Sequence, residues 1–218
     1  MNITIDPIFQ TLSTTVHLGV VDYDVCTAPS PPALLNAMSE GAQIRREDLI
    51  GEAASSDPVI ANIRTGFKAC GKDPSRYRPS SEALTRRILS GKDLFNVNNI
   101  VDCGNLTSLM TGIPVGCYDA DKVVGDIALT IGEKNAVYES IGRGEINLEG
   151  LAVLADDHGP FGSGFSDSKR TAVTDKTTKL LFVAYGIGAD VAHIEAAAEM
   201  ADTLISTFCA IETDKPLH

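Results

Sequence analysis

Three stretches of the chain group residues that could do chemistry. Asp102 and Asn105 stand three apart in a segment with helical spacing, which puts both on one face. Asn105 could aim its amide at a pocket, although a polar residue on a helix is usually solvated or bonded locally. Asp102 is better explained as the anchor of a neighbouring loop than as a catalyst. The second stretch is Pro114-Val115-Gly116-Cys117-Tyr118-Asp119, followed by Asp121 and Lys122. Gly116 permits close approach of backbone to a ligand, but turn chemistry alone is the commoner reason for a glycine. Cys117 has no histidine near it in sequence, and a lone cysteine mostly packs as a small hydrophobe. Asp119, Asp121 and Lys122 resemble a paired-carboxylate site but fit better as caps and staples of a turn. The third stretch runs from Asp156-Asp157-His158 to Ser163, Gly164, Ser166, Asp167, Ser168, Lys169, Arg170 and Thr171. Its glycine-containing loop could present backbone N–H groups to a carboxyl or phosphate, and Lys169 and Arg170 could hold the same anion. An ordinary β-turn is the plain alternative. No metal and no cofactor is expected, because neither the acidic pairs nor His158 come with enough convergent ligands. His17, His193 and His218 have no constellation around them.

The elements that must position these residues follow from apolar periodicity and turn signals. Val16–Val21 reads as a strand rich in β-branched residues. Residues 31–49 show helical spacing through Leu34, Leu35, Met38 and Ala42. A second helix starts with Asp57 as cap and Pro58 in its first turn, and Gly71 lies just past its end. Residues 72–81 form a turn-rich basic loop, followed by a short helix through Ala83, Leu84, Ile88 and Leu89. Asn99–Leu109 is a fourth helix, stopped by Gly112 and Pro114. The second half reads as sheet, with strands at 127–131, 136–141, 151–155, 161–165 and 180–185. Asp190–Ile211 is a long amphipathic helix. The result is an α/β chain of α+β character, one domain over residues 1–218. Helices come first, then a mostly antiparallel or mixed sheet, then a long C-terminal helix.

With 218 residues, 44% of them hydrophobic, the chain can fill a sizeable core. No apolar run is long enough to cross a bilayer. Residues 1–10 lack the basic and apolar regions of a secretory signal. Five cysteines without CxxC spacing argue for reduced thiols, which fits a cytoplasmic protein. The net charge of −11 disfavours non-specific nucleic-acid binding. The charge is uneven, however. Residues 64–92 hold Arg64, Lys68, Lys72, Arg76, Arg78, Arg86, Arg87 and Lys92 against only Asp73 and Glu82, a local +6. Any contact with nucleic acid should run through this segment; a solvated helix face is the plainer reading.

The order of motifs over residues 76–127 resembles a known family. Asn99, Val101, Asp102 and Asn105, then Gly112, Pro114, Tyr118, Asp119, Asp121 and Lys122, resemble the B3/B4 editing module of the phenylalanyl-tRNA synthetase β subunit. Downstream, Ser163 and Gly164 resemble its small-residue turn, and Val173, Thr174 and Thr177 its step into a final strand. Arg76-Tyr77-Arg78-Pro79 and the Arg86-Arg87 pair are similar to the freestanding branch of that family. The resemblance covers roughly residues 30–215.

The resemblance implies trans-editing. A misattached amino acid would be cleaved from the 3′ end of an aminoacyl-tRNA by water, without a metal and without ligase activity. It implies Asn105, Gly116, Ser163 and Gly164 at the reacting centre. Gly104, Cys117, Tyr118, His158, Val183, Tyr185 and Arg170 would surround the amino acid, with His158 standing in for an absent family histidine. Arg76, Arg78, Arg86, Arg87 and Lys92 would meet the tRNA. Neither DNA nor a membrane is an expected partner. Three positions depart from the family pattern: Gly104 replaces a threonine, Gly116 the pocket histidine, and Val183 the glutamate that senses the tyrosine hydroxyl. Lacking a partner for that hydroxyl, the site cannot favour tyrosine strongly, and a smaller or apolar amino acid is compatible. The alternative function is a non-catalytic module that binds a free amino acid or a related small ligand.

Overall fold

The computed structural model describes residues 3–211. Its helices and strands are, in chain order, β1 (Ile3–Ile5), β2 (Val16–Asp24), α1 (Pro32–Asp48), α2 (Pro58–Ala69), α3 (Ser80–Leu89), α4 (Asn99–Thr111), β3 (Val115–Asp119), β4 (Ile127–Ile131), β5 (Val137–Ser140), β6 (Gly144–Asn147), β7 (Ala152–Asp156), β8 (Gly159–Ser163), β9 (Lys179–Ile187) and α5 (Val191–Phe208). This is an α+β arrangement with helices in the first half and a long helix near the end of the described chain.

Local chemistry sets the helix ends. The Asp57 carboxylate accepts hydrogen bonds from the backbone of Val59 and Ile60 at 2.9 and 3.0 Å, and Pro58 supplies the fixed φ of the first turn. Asn98 caps α4 by accepting from Val101 N at 2.9 Å. Gly112 closes that helix in the left-handed region at φ 72°, the stop the sequence predicts, although the helix runs two residues past Leu109 to Thr111.

The strands divide among three sheets. A four-stranded sheet has the order β1-β4-β7-β8, a three-stranded antiparallel sheet the order β2-β9-β3, and β5-β6 is a separate hairpin. In the three-stranded sheet β9 is central, so β3 is an edge strand. Leu180 to Ile187 of β9 are all buried. On one face of this sheet Cys117 meets Gly104 of α4, and Gly186 lies against Ile194 of α5. On the other, the Tyr118 ring packs edge-on to Phe161 of β8, with centroids 5.1 Å apart. The two larger sheets thus share one apolar core.

Three strands are missing from the sequence reading. β1 is three residues long, β6 (Gly-Glu-Ile-Asn) has no apolar alternation, and β3 hides inside the glycine- and proline-rich motif around Gly116. Each is a strand because a partner pairs with it, not through its own propensity. The strand expected at 161–165 is Gly159–Ser163, because the chain turns at Gly164. Among the described residues no helix is long and apolar enough to cross a membrane.

Candidate active site

A cavity of about 480 Å³ opens beside the edge strand β3. Its walls come from three directions. Helix α3 and the segment after it contribute Ser80, Arg87 and Phe95; α4 contributes Asn105 and Ser108; the loop after β8 contributes Phe165, Ser166 and Asp167. The turn of the β5-β6 hairpin brings Ile141 and Arg143 over the same space. Positive φ at Gly142 and Gly144 lets this turn close tightly.

The Asn105 side chain has no hydrogen bond to any described residue, and its amide is left on the cavity wall. The buried Ser80 Oγ is also without a partner among the described residues. Ser108 is not free, because its hydroxyl donates to Ile113 O at 2.8 Å. Arg87 donates to Asp93 O at 2.6 Å, and its guanidinium lies 3.7 Å above the Phe95 ring. Phe95 is half exposed, at 52%. The Arg143 guanidinium lies 4.8 Å from the Phe165 ring and has no acidic partner among the described residues. Two cations and a carboxylate therefore border one largely apolar space.

Beneath the cavity lies a hydroxyl network centred on Asp167. Tyr118 donates to Asp167 Oδ1 at 2.6 Å, and Ser163 N donates to the same oxygen at 3.1 Å. Tyr118 also bonds Tyr185. An ionised carboxylate can only accept, so the Tyr118 proton goes to Asp167 and Tyr185 donates to Tyr118. Tyr138 of β5 donates to Ser166 O and lies 3.2 Å from Ser163 Oγ. Ser163 Oγ in turn donates to Ser166 O at 2.9 Å. Burial pushes the Asp167 carboxyl up to about 7, against the opposing pull of its bonds to Tyr118 and Ser163 N. The same burial pushes the phenols of Tyr118, Tyr138 and Tyr185 upward.

The structure brings some of the expected residues together and separates others. Asn105 and Arg87 line the cavity. Ser163, Gly164, Tyr118 and Tyr185 form its support rather than its surface. Gly164 packs against Phe67 and Pro114, and its carbonyl accepts from Ser80 N at 2.8 Å. Gly116 does not open the site to a ligand: the room its missing side chain leaves is filled by the Tyr118 ring, held between Gly116 and Gly162. Gly104 is a packing position, where a Cβ would come within 2.7 Å of Cys117 Sγ. Cys117 faces α4, and its thiol is pushed up by burial. Val183 is fully buried in β9. His158 is exposed in the β7–β8 turn, at the opposite end of β8 from Ser163, so it does not replace the family histidine at this cavity. Arg170 grips Asp156 with two bonds of 2.8 and 2.9 Å at that same turn and is absent from the cavity wall. Burial raises Asp156, but Arg170 and two backbone N–H groups outweigh it and hold the carboxyl low.

The basic segment is also partly committed. Arg64, Arg78 and Arg86 converge on the buried Glu82 at 2.6, 3.6 and 3.8 Å. Arg76, Arg86 and Lys92 nevertheless remain exposed. Asp102 is buried and accepts from Ser30 Oγ at 2.6 Å and Val97 N at 3.0 Å, which ties down two loops. Asp119 accepts from Thr177 at 2.8 Å and pairs with Lys122 at 3.1 Å. Among the described residues no three His, Cys, Asp or Glu side chains gather as a metal-ligand set. His218 lies outside the described residues.

Sequence reading missed Arg143, Phe95 and Phe165 as cavity residues, and singled out Asp167 only as part of a polar loop. The hairpin turn carrying Arg143 reaches the cavity through a long-range contact, Ile141 N to Asp167 O at 2.9 Å, which no local signal encodes.

Comparison with known proteins places this cavity in a family. The β subunit of phenylalanine–tRNA ligase from Mycoplasma pneumoniae is 32% identical over 105 residues, 47% of this chain and 13% of that subunit. The same subunit from Psychrobacter arcticus is 33% identical over 86 residues, 38% of this chain and 11% of that subunit. The chain therefore spans only a small part of these relatives. An N-terminal fragment of the phenylalanyl-tRNA synthetase β subunit from Pyrococcus horikoshii aligns with a TM-score of 0.44 at 18% identity, over 51% of this chain and 40% of that one. The B3/4 domain profile matches residues 62–210, a stretch that includes every residue of the cavity wall. The chain belongs to the B3/4 domain family.

Proposed function

We propose that the protein hydrolyses the ester bond between an amino acid and the 3′ end of a tRNA, acting in trans. The observation that carries this reading is the unpartnered Asn105 amide on the wall of a cavity bordered by Arg87 and Arg143. In the reaction, a water oxygen attacks the ester carbonyl carbon. The carbon–oxygen bond to the terminal ribose breaks, and the ribose hydroxyl leaves with a proton from the water. The products are a free amino acid and an uncharged tRNA. An ester is already activated, so placing the water and stabilising the tetrahedral oxyanion suffices. The Asn105 amide is a donor on the cavity wall with no hydrogen-bond partner among the described residues.

The terminal nucleotide would lie at the cavity mouth. Phe95 offers an exposed aromatic face for its base, and Arg87 and Arg143 offer guanidinium groups for its phosphates. Arg76, Arg86 and Lys92 would extend the contact along the acceptor arm, with Arg78 held closer to Glu82. The apolar part of the wall, including Leu84, Val115 and Ile141, suits a small or apolar side chain better than a tyrosine.

The test is a deacylation panel of mischarged tRNAs, with binding measured at low salt. Hydrolysis of at least one member well above buffer supports the reading. If none is hydrolysed faster than buffer and none binds, it is wrong. Binding of a free amino acid without turnover of any ester would establish the non-catalytic alternative.

A further inference from the structure

We infer that Asp167 binds the α-ammonium group of the amino-acid moiety, so that the site selects esters whose amino group is free. This deepens, and rests on, the hydrolase reading above.

The inference begins with the bonding of the buried and half-buried carboxylates. Asp57, Glu82, Asp119 and Asp156 each have a cation within 4 Å. Asp102 has none, but both of its oxygens accept hydrogen bonds. Asp167 differs from all of them. Its Oδ1 accepts twice, from Tyr118 and Ser163 N, while Oδ2 has no hydrogen bond from any described residue. No lysine or arginine among the described residues pairs with it, and its side chain lines the cavity. Asp167 is half-buried, with Oδ2 open to the cavity, and a carboxylate partly withdrawn from water gains from a cation placed beside it. A cation delivered by the ligand would meet that need, and an aminoacyl ester carries one, two bonds from the carbonyl carbon under attack.

The surroundings fit this role. The Tyr118 ring is wedged between Gly116 and Gly162, and Tyr185 bonds its hydroxyl, so the acceptor is held in place before a ligand arrives. Arg87 and Arg143 line the same cavity and would meet anions, which matches a ligand with an ammonium at one end and phosphate at the other. The upward push that burial exerts on the carboxyl is the response expected of an anion without its counter-ion.

The test compares free and N-acetylated forms of the same mischarged tRNAs, in the wild type and in Asp167→Asn. It adds binding of the hydrolysis-resistant 3′-amide analogues of alanyl- and valyl-adenosine, free and N-acetylated. Asn retains an oxygen that can accept from Tyr118 and Ser163 N, so the fold is preserved. Acetylation should weaken wild-type kcat/KM, chiefly through KM, by roughly 10- to 100-fold. Asp167→Asn should show a similar loss on free esters and little further loss on acetylation. The same pattern in analogue binding supports the inference even if no ester is turned over, which separates it from the hydrolase reading. Equal handling of free and acetylated forms by the wild type overturns it. So does an Asp167→Asn variant that loses kcat on both forms at unchanged KM, because that result makes Asp167 a general base.

Discussion

Glu82 is a buried carboxylate and Asp167 a half-buried one on a cavity wall, and their surroundings are opposite. The Glu82 side chain is 2% exposed and is approached by Arg64, Arg78 and Arg86. Asp167 is approached by the Tyr118 hydroxyl and a backbone N–H, with the hydroxyls of Tyr185 and Tyr138 beyond. The first is neutralised by the protein itself, which marks it as structural. The second sits on a cavity wall with one oxygen unsatisfied, which marks it as a group that a ligand completes. Charge alone therefore does not separate fold from function here; the identity of the partners does.

The largest effect should come from breaking the self-neutralised side of this pair. Glu82→Ala leaves three guanidinium groups around an empty space, and removing one partner of a buried ion pair typically costs about 3–5 kcal/mol. Urea denaturation at pH 7 measures this. A loss below about 1 kcal/mol would show that the arginines simply turn to solvent.

Next in size is the pH response of Asp167. Its folded pKa of about 7 lies above the unfolded carboxylate value. Its contribution to stability is therefore fully present below about pH 4 and is lost as pH rises through about 7. The tyrosines around it, and Cys117 on the other face of β3, are pushed upward and stay neutral in this window; Arg87 and Arg143 line the same cavity. The stability advantage of the wild type over Asp167→Asn should thus shrink between pH 4 and pH 8, on the order of 2–4 kcal/mol. A constant difference across that range would mean that Asp167 keeps an ordinary carboxylate pKa in the fold.

Asn105→Ala should lower turnover by roughly 10- to 100-fold while leaving the melting temperature nearly unchanged, because the amide has no protein partner to lose. Normal turnover by the folded variant removes Asn105 from the site. The smallest effect is assigned to the rim. Arg87→Ala should weaken tRNA binding several-fold and reduce the salt slope by about one phosphate contact. An unchanged slope would move the RNA contact away from the cavity mouth.

Much of the scaffold was legible in the sequence because its signals are local. Asp57 with Pro58 marks a helix start through its own side chain and ring. Gly112 ends α4 because few other residues tolerate its φ. The apolar spacing of α5 and the dense apolar run of β9 declare themselves without knowledge of their neighbours. The site was less legible. Motif order points to Asn105, whereas His158, expected from its closeness to the pocket loop, and Arg170, expected from the polar loop that carries it, have their side chains at the far turn of β8.

The sequence by itself determined the helices and their caps, the main apolar strands, the basic segment and the family motifs, because each depends on residues within one or two turns of one another. Only the tertiary structure decided which polar groups face the cavity. Pairing of β3 with β9 turns Tyr118 toward Asp167 and Cys117 toward α4, a choice set by strand register. The hairpin contact carries Arg143 to the mouth, and the convergence of three arginines on Glu82 withdraws charge from the segment that looked most free. Those outcomes depend on contacts between residues far apart in the chain, where burial and pairing assign to each side chain a role that its neighbours in sequence do not record.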